Sequence, residues 1–458
     1  MNSINNTIER LTRRGTLSGM LGAYLYAAFL VAGPWIFTVF GLLSLGPADC
    51  EGSCAELTVF RSIVIYNSMY TLIVSSPLAF VSGRYASEQT QEGERENVFS
   101  AFLLSIGLFA LLSIATVGPF YVFAATLDPA ATAASLYNVM LIGCSWLLIP
   151  ILGAIRAYNS VLLAFGVGAA SMTVFGGLLH DPSAATLLTA FNCSFAITDL
   201  ILLAAVTRSF GAEIAFDPEI TARVRKNWEL PAAGAAYAMG LWIDKIIMWH
   251  ADASGRLLVA GALWTRPSYD SAMFWAQLSS IPIIAVFFVH VETHFFLLRR
   301  LYHTRMQQQA SLRELNQIVT RIGAHVVSSM FGLFLALIVT AGTMMMASFL
   351  FMGELGLRPS YMGIFRVSLC AMIFYIIAMF CFSFLLHLDL RRPALLIVSS
   401  FLFFNATLTL ILLPLGPDFF GYGNMIAAAI TLVIAFKLVS SELSWLHYHA
   451  FITNNSSS

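Results

Sequence analysis

Twelve times along its 458 residues the chain runs for about 20 residues with almost no charge, the length an α-helix needs to cross the hydrocarbon of a bilayer. The segments lie near 22–45, 61–82, 99–124, 134–156, 159–179, 185–207, 230–250, 271–291, 324–351, 361–387, 394–414 and 421–443. Lipid offers no hydrogen bonds to a backbone, so each crossing must satisfy its own amides and carbonyls as a helix. The expected fold class is all-α, a polytopic membrane protein with about twelve transmembrane helices. The run at 22–45 is longer than a signal peptide's apolar core and lacks a convincing cleavage site, so it is expected to remain as the first helix.

Composition agrees with a lipid environment. Hydrophobic residues make up 59% of the chain and charged residues 10%, against about 25% charged in soluble domains. The 24 basic and 24 acidic side chains cancel, which leaves no basic field to hold a polyanion and excludes nucleic acid as a partner. Cys144, Cys193, Cys370 and Cys381 fall inside apolar runs and read as small hydrophobes.

An even number of crossings puts both termini on one side, and the basic residues say which. Arg10, Arg13 and Arg14, then Arg223, Arg225 and Lys226, then Arg299, Arg300 and Arg305, then Arg391 and Arg392 share a side, against Arg61, Arg256, Arg266 and Arg358 on the other. The positive-inside rule makes the first side cytoplasmic. The polar stretch 208–228 divides six segments from six, so the expected organisation is an N-terminal six-helix bundle over 1–207, a cytoplasmic linker over 208–228 and a C-terminal six-helix bundle over 229–458. Equal even halves suit a parallel repeat about the membrane normal. The basic, polar segment 299–321 reads as a solvated helix extension held by anionic membrane lipid, or as a docking site for a cytosolic partner.

Charge inside an apolar segment is where function concentrates, because it costs at least about 2.5 to 3.5 kcal/mol near a bilayer centre. The seventh segment holds both signs, at Asp244 and Lys245. Neighbours on a helix diverge by roughly 100°, so these two are expected to pair poorly with each other and to seek other partners. Asp199, Arg266, Asp270, Glu292 and Arg366 are the candidates, and the set reads either as ion pairs that fix packing or as a polar or ion-coupling pathway. Trp228, Trp249 and Trp264 fall near segment ends and read as interfacial anchors, whereas Trp242 is mid-span and could pack against a helix or stack on a sugar ring. His290 and His294 share a helix face, but Glu292 points about 200° away, so zinc is not expected there. Cys50 and Cys54, in the first outward loop, are either a short-loop disulfide or two free thiols. Prolines at 34, 77, 150, 231 and 282 mark places where helices bend or open their ladders. No phosphate-binding loop, H-E-x-x-H or G-x-S-x-G motif is present, so neither an enzyme nor a cofactor is expected.

Several stretches carry a resemblance. Gly22 to Thr38, the Trp-x-Asp-Lys of Gly240 to Trp249, the Tyr-Asp to Glu-Thr-x-Phe stretch of Tyr269 to Phe296, and His387 to Thr409 with Asp389, Arg391, Arg392 and Asn405 resemble the PelG-type inner-membrane transporters of the Pel exopolysaccharide system. Cys50 and Cys54 depart from that pattern. The resemblance implies the flippase superfamily of multidrug extruders and oligosaccharide-lipid flippases, with two six-helix bundles around a central cavity. It also implies export of a galactosamine-rich polysaccharide from cytoplasm to periplasm for a biofilm matrix. Its implied partners are a cytosolic glycosyltransferase and cyclic di-GMP-sensing membrane proteins. Asp244, Lys245, Trp242, Asp270, Glu292, Arg366 and Asp199 are then the expected internal path. An ion-coupled exporter of small amphipathic molecules is the alternative, with Asp244 or Asp199 as the proton-linked acid.

Overall fold

The computed structural model describes residues 33, 35–45, 54–92, 97–155, 157–179, 183–214, 225–251, 255–308, 310–350 and 361–455. Among the described residues helices fall in all twelve expected segments, the first being described only from Trp35. They are α1 (Trp35–Ser44), α2 (Cys54–Glu92), α3 (Val98–Pro119), α4 (Pro129–Ala154), α5 (Tyr158–Gly177), α6 (Ala184–Phe210), α7 (Glu229–His250), α8 (Pro267–Gln307), α9 (Leu312–Leu350), α10 (Met362–His387), α11 (Arg391–Leu412) and α12 (Tyr422–Asn455). Among the described residues nine of these are both long and apolar enough to cross a membrane. The three outside that set are α1, α7 and α8, and α7 is the helix that carries Asp244 and Lys245.

Several helices outrun a bilayer. α2, α8 and α9 have 39, 41 and 39 residues, about 60 Å each at 1.5 Å per residue, twice the hydrocarbon thickness. Most of the basic segment 299–321 is the meeting of α8 and α9, helical up to Gln307 and again from Leu312.

Local chemistry sets the helix ends. The Asp128 carboxylate accepts from the Ala131 amide at 3.2 Å with Pro129 following, and the Ser183 hydroxyl accepts from the Thr186 amide at 3.2 Å, each satisfying an amide that a helix start leaves open. Glu56, in the first turn of α2, accepts from the first amide of α6, at Ala184, at 2.7 Å. Between α10 and α11 the chain turns at Asp389, whose φ is 63°, and Arg391 clasps its carboxylate at 2.9 and 3.2 Å. α3 ends in a widened turn, Phe120–Ala124, where the Ala125 amide reaches the Phe120 carbonyl at 2.9 Å.

One antiparallel hairpin interrupts the helices, a feature the apolar pattern did not announce. Strand β1 (Leu257–Ala260) pairs with β2 (Leu263–Thr265) between α7 and α8. Gly261 at its tip has φ +57°, and a Cβ there would stand 2.3 Å from the Ala124 carbonyl oxygen, so only glycine lets the tip close on the end of α3.

The described residues fall into two compact units, one up to Pro267 and the other from Ser268 onward. α7 and the hairpin group with the first unit, whereas the sequence suggested a boundary at residue 229. The physical reason lies in the crossing of α7 and α2. A Cβ on Gly234 would stand 2.7 Å from the Ser76 carbonyl oxygen beside Pro77, so the two backbones are nearly in contact. Gly83 of α2 meets Pro150 of α4 in the same way, with 2.8 Å between a Cβ built there and the proline ring. Two of the prolines expected to mark bends thus sit where a glycine brings a neighbouring helix close.

Candidate functional site

In the first unit the charged pair of α7 is buried, Asp244 at 0% exposure and Lys245 at 6%. Asp244 lies six residues before His250, about 9 Å from that end of the helix. The lysine folds back along its own helix. Its ammonium donates to the Leu241 carbonyl at 3.3 Å, stands 3.9 Å from the Asp244 carboxylate and lies 5.2 Å from the centre of the Trp242 ring. Adjacency was expected to keep the two charges apart. The four-carbon stem of lysine brings them to the outer limit of an ion pair, close enough to lower the cost of burying each.

Trp242 opens an aromatic column. Its ring centre is 6.3 Å from that of Trp249. Trp249 stacks on Tyr66 at 4.7 Å and 14°, and the other side of Tyr66 faces Phe120 at 5.7 Å and 13°. The Tyr66 hydroxyl donates to the Trp264 carbonyl at 2.7 Å and accepts from the Trp264 amide at 3.0 Å. Rings from α7, α2 and the end of α3 therefore stack in sequence, and the hairpin is bonded to the middle one. Stacked pairs add about 0.5 to 1.5 kcal/mol beyond their buried area. Trp249, expected as an interfacial anchor, is 1% exposed and belongs to this column. Trp264 is half-buried beneath the Arg256 guanidinium, 4.2 Å from its ring centre, and only Trp228, 55% exposed, has the open position of an anchor. The indole nitrogen of Trp242 is buried and has no hydrogen-bond partner among the described residues. Arg266, also fully buried, points a guanidinium nitrogen at the Met248 sulfur, 3.5 Å away.

Asp199 of α6 occupies a separate place in the same unit. It accepts from the Ser145 hydroxyl of α4 at 2.5 Å, and its second oxygen is buried without a partner among the described residues. Burying a carboxylate oxygen without a hydrogen bond is costly, which makes Asp199 a candidate site rather than a packing residue.

A neighbouring polar chain escaped sequence reasoning, which looked for charge inside the apolar segments. The Tyr121 hydroxyl donates to Asn67 at 2.6 Å, Asn67 to Asn138 at 2.8 Å, Asn138 to Asn192 at 2.6 Å, and Asn192 to the Ala134 carbonyl at 2.8 Å. The available signal was one asparagine in each of three apolar segments.

The second unit holds the remaining candidates. Asp270 is half-buried in the first turn of α8, where a carboxylate is favoured by the helix dipole. Arg366 of α10 lays its guanidinium 4.9 Å from the ring centre of Phe349 on α9 and leaves Nε without a hydrogen bond among the described residues. Glu292 falls within α8, but its side chain lies outside the described residues, as do the side chains of His290 and His294, Cys50 and the Cys54 side chain. The structure thus brings Asp244, Lys245 and Trp242 together on α7 and keeps Asp199 with Ser145.

Comparison with known proteins gives this arrangement a context. No curated protein matches the chain. Solved structures share its fold at low identity. A MOP superfamily transporter from Pyrococcus furiosus aligns with a TM-score of 0.62 at 12% identity over 97% of both chains. A MATE protein in complex with MaL6 aligns with 0.61 at 11% identity, again over 97% of both. A multidrug resistance MATE family transporter in its inward-facing conformation gives 0.58 at 13% identity, over 92% of this chain and 96% of that one. The fold is accordingly that of the MATE transporters, an all-α polytopic membrane architecture of two helical bundles. A sequence family described as "PelG: Putative exopolysaccharide Exporter (EPS-E)" matches residues 1–451, nearly the whole chain. The chain belongs to the PelG family of exopolysaccharide exporters, and family and fold together point to a membrane transporter.

Proposed function

We propose that this transporter exports a galactosamine-rich exopolysaccharide from the cytoplasm to the periplasm across the bacterial inner membrane, with both termini cytoplasmic, to supply a biofilm matrix. The observation that carries the reading is the family match over residues 1–451. Membership speaks for the polymer class, and the chemistry of α7 supports a polar, sugar-like passenger. Asp244 would hold protonated amino groups, Lys245 would donate to hydroxyls, and Trp242 would offer both an indole N–H with no partner among the described residues and a ring for C–H faces. In the second unit, Asp270, Glu292 and Arg366 are the residues proposed to serve the same passenger. The glycosyltransferase that makes the polymer and the cyclic di-GMP-sensing membrane proteins are its proposed partners. The test is sugar analysis of secreted polymer from cells with and without the chain. Loss of a galactosamine-rich fraction on deletion, restored by the wild-type chain, is expected. An unchanged secreted fraction in the deletion overturns the proposal.

One observation favours a second reading, ion-coupled export of small amphipathic molecules. Asp199 has a buried carboxylate oxygen without a partner among the described residues, suited to a coupling proton. Under that reading, efflux of a cationic dye depends on the proton gradient and is lost in Asp199→Asn, while polysaccharide secretion is unaffected.

A further inference from the structure

The second unit has a concave lateral groove walled by three helices. Phe331 and Phe334 of α9, Ile377 of α10, and Val433 and Phe436 of α12 line a space of 470 Å³, within the range of about 300–1,000 Å³ common for small-molecule sites. Phe331, Val433 and Phe436 are 61%, 56% and 52% exposed, so the protein leaves the groove uncovered. Its one charged wall residue is Lys437, which is exposed and has no ion-pair or hydrogen-bond partner among the described residues.

The position of that cation is informative. Lys437 lies within the apolar span Pro417–Trp445, eight residues before its end, about 12 Å along the helix. An ammonium at that depth is costly unless it reaches the interface or meets an anion. A Cβ on Gly323 would stand 3.8 Å from Leu443, so the N-terminal third of α9 lies beside the part of α12 that follows Lys437. The first turns of α9 carry Arg313 and Arg321, which line an open polar cleft with Asn316, Gln317 and Thr320. An occupant of the groove therefore needs an apolar tail several methylenes long and a negative head at the end nearest these residues.

We propose that the groove between α9, α10 and α12 binds one anionic phospholipid, its acyl chain along Phe331 and Val433 and its phosphate on Lys437. α9, α10 and α12 are long and apolar enough to cross a membrane, so lipid is the molecule this surface would meet, and a phosphate supplies the anion that the groove itself lacks. A second copy of the chain would instead cover the lysine with another apolar face and leave its charge buried and unpaired.

The test is native mass spectrometry of the full-length chain in detergent, titrated separately with phosphatidylglycerol and with phosphatidylcholine of the same acyl chains. Wild type is expected to retain one phosphatidylglycerol in preference to phosphatidylcholine. Lys437→Gln should cut that preference about fivefold, the usual worth of one basic residue facing an anionic lipid. Val433→Trp should reduce retention of both lipids by filling the groove. An unchanged preference in Lys437→Gln overturns the proposal, as does unchanged retention in Val433→Trp. So does a dimer that replaces the lipid adduct, or retention of a prenyl phosphate with no retention of phosphatidylglycerol.

Discussion

Two polar regions of the first unit are equally buried and opposite in character. In the asparagine chain every amide oxygen and nitrogen of Asn67, Asn138 and Asn192 has a partner. Around α7 and Asp199 the bonding is incomplete: the Lys245 ammonium makes one 3.3 Å bond beside a carboxylate 3.9 Å away, and Trp242 and Asp199 each hold a buried polar atom without a partner among the described residues. A closed network rigidifies, since each member loses energy if it moves. An open one has capacity left for a passenger or an ion. Burial does not distinguish the two regions, and the completeness of hydrogen bonding does.

Breaking the asparagine chain, the aromatic column or the hairpin should cost stability. Trp249→Ala removes the ring between Trp242 and Tyr66, and denaturant unfolding in detergent is expected to show a loss of about 3–5 kcal/mol; a loss below about 1 kcal/mol would mean the column is not structural. Asn138→Ala deletes two hydrogen bonds and orphans the Asn192 oxygen, with an expected loss of roughly 1–3 kcal/mol in the same assay. Gly261→Ala forces a Cβ against Ala124 at positive φ, and a loss of about 1–2 kcal/mol is expected, with faster hydrogen exchange at β1 and β2. On the open side, Asp199→Asn keeps the Ser145 bond and should move stability by less than about 1 kcal/mol. Stability loss in Asp199→Asn as large as in Asn138→Ala would erase the contrast.

The helices were legible because a bilayer imposes one crude rule, length and apolarity, which nine of the twelve meet by themselves among the described residues. What the rule leaves out is which face of a segment meets protein. Trp249 stands one residue from the end of α7, where an interfacial indole and a buried one look alike in sequence. Only the proximity of Tyr66, far earlier in the chain, decides between them. Asn67, Asn138 and Asn192 likewise carry no local sign that they form one chain, since their spacing reflects topology rather than a motif. The grouping of α7 with the first unit turns on Gly234, whose missing Cβ matters only once Pro77 is known to lie opposite. Asp244 and Lys245 were legible as an anomaly because charge is so rare in these segments, yet the fold-back of the lysine was not, because it depends on a rotamer rather than on helix periodicity.

The most direct measurement is secreted exopolysaccharide in cells whose only copy of the chain carries Asp244→Asn with Lys245→Gln, alongside the single variants Asp244→Asn and Lys245→Ala, with membrane levels of each protein quantified in parallel. The double variant removes both charges together, so neither is left buried without its neighbour. Loss of secretion in the double variant at normal membrane level is the predicted result. Normal secretion by that variant would contradict a role for the α7 pair in transport and reduce Asp244 and Lys245 to packing.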